Sequence, residues 1–125
     1  MTNKPKAQGT RAETEAVKIL KASGLKAWRL AEGGVKDAGD IAFVDGDGDT
    51  WIGEVKHRER LAVHDTYARA RQKAEKADLP YPVAGTVLIW KRSTLTEGAL
   101  RRTPVGTVVV MDWPTFLDLL PGADC

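Results

Sequence analysis

Apolar residues recur with two different periods along this chain, and the periods predict the order of its helices and strands. A helical period of 3.6 residues runs from Gly9 to Ser23 and again from Ala62 to Ala77. Short apolar runs bounded by turn-forming residues predict strands at 25–30, 40–44, 50–56, 83–90 and 105–111, with a closing helix at 114–120. This order predicts an α/β fold with one mixed central β-sheet flanked by helices.

Each of the two longer predicted helices has one apolar side. In the first, the apolar arc consists of Ala12, Ala16, Val17, Ile19 and Leu20. In the second, the stripe consists of Val63, Tyr67, Ala70, Ala74 and Ala77. Because this second stripe is mostly alanine, we expect its helix to pack closely against the sheet.

Length and composition predict one globular domain over residues 9–125, preceded by a flexible basic arm over residues 1–8. The chain has 125 residues, of which 42% are hydrophobic and 29% charged, as is typical of globular proteins. The single cysteine, Cys125, excludes an intramolecular disulfide and a cysteine-based zinc site. With no apolar stretch of signal-peptide or membrane-spanning length, we expect a cytoplasmic protein with no membrane partner.

Charge is distributed unevenly although the net charge is only +2. Residues 1–30 carry seven basic and two acidic side chains, residues 31–50 one basic and six acidic, and residues 51–76 seven basic and four acidic. An acidic block between basic segments suits a metal site flanked by a phosphate-binding surface. It equally suits a solvated surface whose charges intermix on folding.

Three residues at the ends of the predicted hairpin strands carry the candidate chemistry. Asp40 opens one strand, and Glu54 and Lys56 close the next. Alternate residues of a strand share a face, so Glu54 and Lys56 project to the same side. Two carboxylates beside an ammonium group suit a hard divalent cation and an activated water, which predicts phosphodiester hydrolysis. The alternative is a hairpin with surface acids, in which the lysine prevents the exposed edge strand from pairing with another chain.

Two further acids have alternative interpretations. Glu13 falls inside the apolar arc of the first helix, where a carboxylate needs a partner. It is either an additional ligand of a metal or water, or the acid of a salt bridge at the helix edge. Asp37 competes with Asp40 for the metal, and Asp40 is favoured because the strand holds its backbone.

Four short motifs follow one another along the chain: Gly9-Thr10-Arg11-Ala12-Glu13, Trp28-Arg29, Gly39-Asp40-Ile41 and Glu54-Val55-Lys56. Together they resemble the archaeal-type Holliday junction resolvases of the PD-(D/E)xK nuclease superfamily, and the resemblance covers most of the chain. It implies a restriction-endonuclease-like core and a homodimer that binds branched double-stranded DNA. It also implies symmetric cleavage of four-way junctions with Mg²⁺, for which Mn²⁺ substitutes.

The resemblance also assigns residues. Glu13, Asp40, Glu54 and Lys56 would be catalytic, and the metal would bind Asp40, Glu54, Glu13 and the carbonyl of Val55. The basic residues expected at the DNA backbone are Arg11, Arg29, Arg58, Arg60, Lys91 and Arg92. A glutamine of the family maps to Gln72, although the helical wheel places Gln72 opposite the apolar stripe.

The chain departs from the family pattern near Asp40. Gly39 stands where the family has proline, and the loop 32–34 has no counterpart of a common serine. Two alternatives therefore stay open: another nuclease of the superfamily, such as a nickase or a flap or restriction-type enzyme, and a non-catalytic DNA-binding module. His57 is expected to contact a phosphate and to take no part in catalysis. The four tryptophans are expected in the core, and Trp113 is also a candidate for a dimer contact.

Overall fold

A computed structural model describes residues 4–92 and 106–120, which form an α/β fold with a five-stranded mixed sheet. The elements are α1 (Lys4–Ala22), β1 (Lys26–Arg29), β2 (Ile41–Val44), β3 (Thr50–His57), α2 (Val63–Lys76), β4 (Val83–Lys91), β5 (Thr107–Val110) and α3 (Trp113–Leu119). The predicted α/β class and element order are confirmed. Most of the predicted basic loop at 91–104 lies outside the described residues. Within the two described segments, we find no helix that combines the length and the apolarity needed to cross a bilayer.

Helix α1 begins at Lys4, five residues before its predicted start at Gly9. Residues 4–8, which were predicted to be a flexible arm, therefore belong to the helix. Pro5 lies in the first turn, where a proline is tolerated because the first N–H groups have no partner within the helix. Extension of the helix from Gly9 towards the N-terminus costs little free energy once the following turns pack on the sheet, because adding a residue to an existing helix is far easier than starting one.

The sheet has the strand order β1-β2-β3-β4-β5. Strands β1, β2 and β3 form an antiparallel meander, and the predicted hairpin between β2 and β3 is confirmed. Strand β4 runs parallel to β3, and α2 provides the crossover that a parallel pair requires. Strand β5 returns antiparallel to β4.

Both faces of the sheet are covered by a helix. On one face, Ala12, Ala16 and Val17 of α1 pack on Ala27, Ile41 and Val55. On the other face, Ala74 of α2 packs among Leu30, Ala38, Ala42 and Ile52. The alternation of side chains along β3 therefore directs Val55 towards α1, and Glu54 and Lys56 towards α2.

Two expectations about apolar residues are wrong. Ile19 is 59% exposed, because it lies about 200° around the helix from Val17. Trp113 is 68% exposed and stacks on Phe116 of its own helix, with ring centroids 5.9 Å apart. Trp51 does lie in the core as expected.

Candidate active site

Asp40 is fixed at the start of β2 by hydrogen bonds of its backbone and side chain. Its N–H donates to the carbonyl of Gly53 at 3.0 Å, and its own carbonyl accepts from Leu30 N–H at 3.0 Å. Its Oδ2 accepts a hydrogen bond of 2.8 Å from the N–H of Val55. The expectation that Asp40 has a fixed backbone is confirmed, whereas Asp37 is an exposed residue of the preceding loop with φ +60°.

Gly39 allows the chain to enter this position. Its φ is +151°, a value that side-chain-bearing residues rarely adopt, and a Cβ atom there would overlap Cγ2 of Ile52. Proline, whose ring holds φ near −65°, cannot adopt this conformation. The local backbone therefore requires glycine at position 39.

We expect Gly39→Ala to lower the free energy of unfolding by roughly 3 kcal/mol, because it adds both backbone strain and a clash with Ile52. Urea unfolding monitored by circular dichroism measures the change. Gly46→Ala is the matched control, since a Cβ atom at Gly46 meets no heavy atom within 4 Å. Equal stability of the two variants would contradict the strained conformation of Gly39.

The carboxyl group of Asp40 is ionised with difficulty. Burial raises its pKa from 3.8 to about 6, and the nearby charges of Glu54 and Glu13 act in the same direction. The Val55 N–H, more strongly than Lys73, opposes this rise. The carboxylates of Glu54 and Glu13 are therefore close enough to raise the pKa of Asp40, and a bound cation would favour its charged form.

Glu54 is buried on β3, with only 4% of the residue exposed, and lies between two lysines. Nζ of Lys56 is 3.3 Å from its Oε2, and Nζ of Lys73 is 3.0 Å from its Oε1. Lys73 donates its hydrogen bond to Oε2, at 3.3 Å, so Oε1 is buried without a well-formed hydrogen bond despite the short ion-pair distance. A buried carboxylate oxygen of this kind has unused capacity for a ligand.

Glu13 forms the salt bridge that was one of its two interpretations. Its Oε1 lies 3.2 Å from Nε of Arg29, and both side chains are 18% exposed. Nη1 of Arg29 also lies 3.1 Å from Oε1 of Glu32. Arg29 therefore directs its guanidinium group to two acids of the protein, and its contact with DNA stays a prediction.

Two cavities adjoin this part of β3, one on each face of the sheet. The α1 cavity, of ≈ 350 Å³, is lined by Gln8, Gly9, Glu13, Asp40, Val55, Lys56, His57 and Arg58. The α2 cavity, of ≈ 690 Å³, is lined by Lys36, Asp37, Glu54, Lys56, Arg58, Thr66, Arg69, Gln72, Lys73, Lys76, Ala77 and Asp78. Lys56 and Arg58 line both cavities.

The four predicted catalytic residues are thus neighbours around the end of β3, but the acids do not form one preassembled cluster. Over residues 4–92 and 106–120, no group of three or more His, Cys, Asp or Glu side chains is arranged to hold a metal. The physical reason is that Glu13 and Glu54 each turn towards a basic side chain, which compensates a carboxylate removed from water.

The other residues predicted at the DNA backbone lie around the same end of the sheet or on the surface. Nζ of Lys91 is 3.0 Å from Glu15 of α1, and Arg11, Arg60 and Arg92 are exposed. Burial and, to a lesser extent, the charge of Lys91 lower the pKa of His57. Because the lowered pKa favours the neutral imidazole at neutral pH, the phosphate contact of His57 stays a prediction that would rest on hydrogen bonding.

Lys73 is the site residue that the sequence interpretation missed. It follows Ala70 by three residues and precedes Ala74 by one, so it stands at the border of the buried stripe of α2. That position was a usable signal, because a long side chain at the border of a buried stripe reaches the sheet. Gln72 also lines the α2 cavity, although the helical wheel had placed it opposite the stripe.

No protein-family model and no curated protein matches this sequence.

Proposed function

We propose that this protein is a metal-dependent, structure-specific DNA endonuclease that resolves four-way junctions by paired phosphodiester hydrolysis. The observation that carries the proposal is a pair of acids next to Val55, the partly buried Asp40 and the buried Glu54. Asp40 has its pKa raised to about 6, and Glu54 has an oxygen that accepts no well-formed hydrogen bond. Two neighbouring carboxylates shielded from water, of which Asp40 has a raised pKa, favour a cation.

Mg²⁺, or Mn²⁺ in its place, fits the donor set. Both prefer oxygen ligands, and the residues that would hold the ion are Asp40, Glu54 and the carbonyl of Val55, with Glu13 as a further ligand. When bound, the ion supplies a water of lowered pKa and stabilises charge on the attacked phosphate. The fold that we propose for this arrangement is the restriction-endonuclease-like core, and the antiparallel meander followed by a helix and a parallel strand supports it.

Lys56 is the residue of this chain that acts on water and phosphate. Its Nζ lies 3.3 Å from Glu54, and its side chain borders both cavities. An ammonium group held there orients a water molecule and counters the negative charge that develops on the phosphate. Arg58, which borders the same two cavities, contacts the neighbouring phosphates of the substrate.

A homodimer is part of the proposal, because two cuts related by two-fold symmetry need two sites. The support is an apolar surface at the β5 edge of the sheet. In the described part of the chain, its exposed large side chains are Val108, Val109, Trp113, Phe116, Leu119 and Leu120. A second copy of the chain would cover this surface.

The test is cleavage of a fluorescently labelled four-way junction, compared with a linear duplex and a flap of the same sequence. We expect paired nicks in the junction with Mg²⁺ or Mn²⁺, none with EDTA, and far slower cleavage of the linear duplex. Preferred cleavage of the flap or the duplex would instead support another nuclease of the superfamily. Absence of nicks in every branched substrate with either ion would refute the nuclease.

The competing function is a DNA-binding module without catalysis. It is favoured by one observation, the pairing of Glu54 with both Lys56 and Lys73, which neutralises the acid without a metal. Metal-independent binding of the junction with no cleavage under any condition would establish it.

A further inference from the structure

Helix α2 carries three basic residues that the proposed mechanism does not use for catalysis. Arg69, Lys73 and Lys76, here named the α2 basic stripe, follow one another at intervals of four and three residues. At about 100° per residue they lie within roughly 60° of one another on the helix surface. All three line the α2 cavity, next to Glu54.

The wall of the α2 cavity is strongly basic. It contains six lysines and arginines against three acids, Asp37, Glu54 and Asp78. Lys36 and Arg58 line the same cavity as the stripe. Because Glu54 is already paired with Lys56 and Lys73, the remaining excess of positive charge faces the open cavity.

Within the described residues, Lys73 is the one member of the stripe that forms an internal salt bridge, to Glu54 at 3.0 Å. Among the described residues, Arg69 and Lys76 lie within salt-bridge distance of no acid, and the hydrogen bond of Arg69 goes to the backbone carbonyl of Asp65. Arg71, on another side of the same helix, pairs instead with Glu75 at 2.8 Å and Asp112 at 2.7 Å. Like charges three and four residues apart repel on a helix, so the stripe favours an external anion.

The length of the stripe distinguishes a nucleic-acid strand from a single phosphate. Seven residues of α-helix rise about 10 Å from Arg69 to Lys76. One DNA strand presents a phosphate about every 3.4 Å along the duplex axis, so the stripe matches about three consecutive phosphates. A small anion would need converging donors instead of a row.

We propose that the α2 basic stripe binds the sugar–phosphate backbone of the DNA strand that enters the site, so that DNA lies along the α2 side of the sheet. The proposal builds on the proposed function, and it assigns Arg69 and Lys76 to DNA binding, which the sequence interpretation did not. Such contacts position the strand without reading its bases, which is what recognition by shape requires.

The test is binding of a labelled four-way junction in EDTA, measured by fluorescence anisotropy over a series of salt concentrations. The variant is Arg69→Gln/Lys76→Gln, which leaves Lys73 and its contact with Glu54 intact. We expect Kd to rise roughly ten-fold and the slope of log K against log salt to become shallower by about 2. Arg69→Lys/Lys76→Arg retains the charges and is expected to retain the wild-type slope.

The matched control is Lys18→Gln/Lys21→Gln, which removes the same charge from exposed positions of α1 that line neither cavity. Thermal unfolding confirms that each variant is folded. A stripe variant that binds like the wild type, or that loses no more affinity than the control, overturns the inference, and cleavage by the wild type would still support the nuclease. If the stripe variant loses affinity and the control does not, but the wild type cuts no DNA, the result supports the inference and refutes the nuclease. A wild-type protein that binds no DNA overturns both.

Discussion

Glu54→Gln and Lys56→Ala are expected to abolish or nearly abolish cleavage of a four-way junction while leaving its binding largely intact. Glu54 is the most deeply buried acid of the site. The glutamine that replaces it has a neutral amide of nearly the same size, so the substitution removes a negatively charged ligand but still fills the space between Lys56 and Lys73. For Lys56→Ala, loss of one group that counters developing charge corresponds to roughly a 10²–10³-fold lower rate. Glu54→Gln is expected to reduce cleavage below detection, because the cation loses a charged ligand.

Single-turnover cleavage and anisotropy with the same junction measure the two effects separately. Glu59→Gln is the matched control, since Glu59 is an exposed acid shortly after β3 that lines neither cavity. We expect it to cut and bind like the wild type. Normal cleavage by both Glu54→Gln and Lys56→Ala would show that the acid–lysine pair is structural. Glu54→Ala tests the same carboxylate, but it also leaves Lys73 without its partner.

Asp40→Asn is expected to stabilise the protein at pH 7.5 in the absence of metal by about 3 kcal/mol. The pKa of Asp40 is about 6 in the folded protein against 3.8 for the ordinary group. Between these pH values the folded state binds more protons than the unfolded state, so the free energy of unfolding falls as the pH rises. Asparagine carries no charge, and its Oδ1 still accepts the hydrogen bond from Val55 N–H.

Urea unfolding in EDTA at pH 4.5 and pH 7.5 measures this difference. From pH 4.5 to pH 7.5, the free energy of unfolding of the wild type should change unfavourably relative to that of the variant. Mg²⁺ should then raise the melting temperature of the wild type at pH 7.5 and leave that of Asp40→Asn nearly unchanged, because only the charged site binds the ion. Asp47→Asn, the same substitution at an exposed turn residue, is the control. If Asp40→Asn were less stable than the wild type at pH 7.5, the claim that folding disfavours the charged form of Asp40 would be wrong.

This expected gain in stability has a functional meaning. Asp40 is held in a position where a negative charge is unfavourable without a cation. Sites of this kind lower the stability of the fold in exchange for a ligand-binding geometry that is already assembled. The acid that costs stability in the metal-free protein is therefore the residue that we expect to bind the metal most directly.

Much of the fold was predictable because its determinants are local. The hairpin between β2 and β3 follows from aspartate–glycine pairs between two apolar runs, and the buried side of α2 follows from the spacing of Ala70 and Ala74. The shared face of Glu54 and Lys56 follows from the geometry of any extended strand. The helical start at Lys4 was missed because a polar first turn depends on the turns after it.

The ion pairs of the site were beyond the reach of the sequence. Glu13 joins Arg29, sixteen residues away, and Glu54 joins Lys73, nineteen residues away. Long charged side chains have many rotamers of similar energy, so their partners depend on which backbones the sheet and helices bring together. The same holds for the backbone of Gly39, whose φ is set by its approach to Ile52.

The class of the fold, the hairpin and the positions of Asp40, Glu54 and Lys56 on it could be predicted from the sequence, because each depends on the period of neighbouring residues. The hydrogen bond from Val55 N–H to Asp40, the contact of Lys73 with Glu54 and the basic lining of the α2 cavity became known from the three-dimensional structure. These features depend on distances between segments far apart in the chain, which packing sets and local pattern does not.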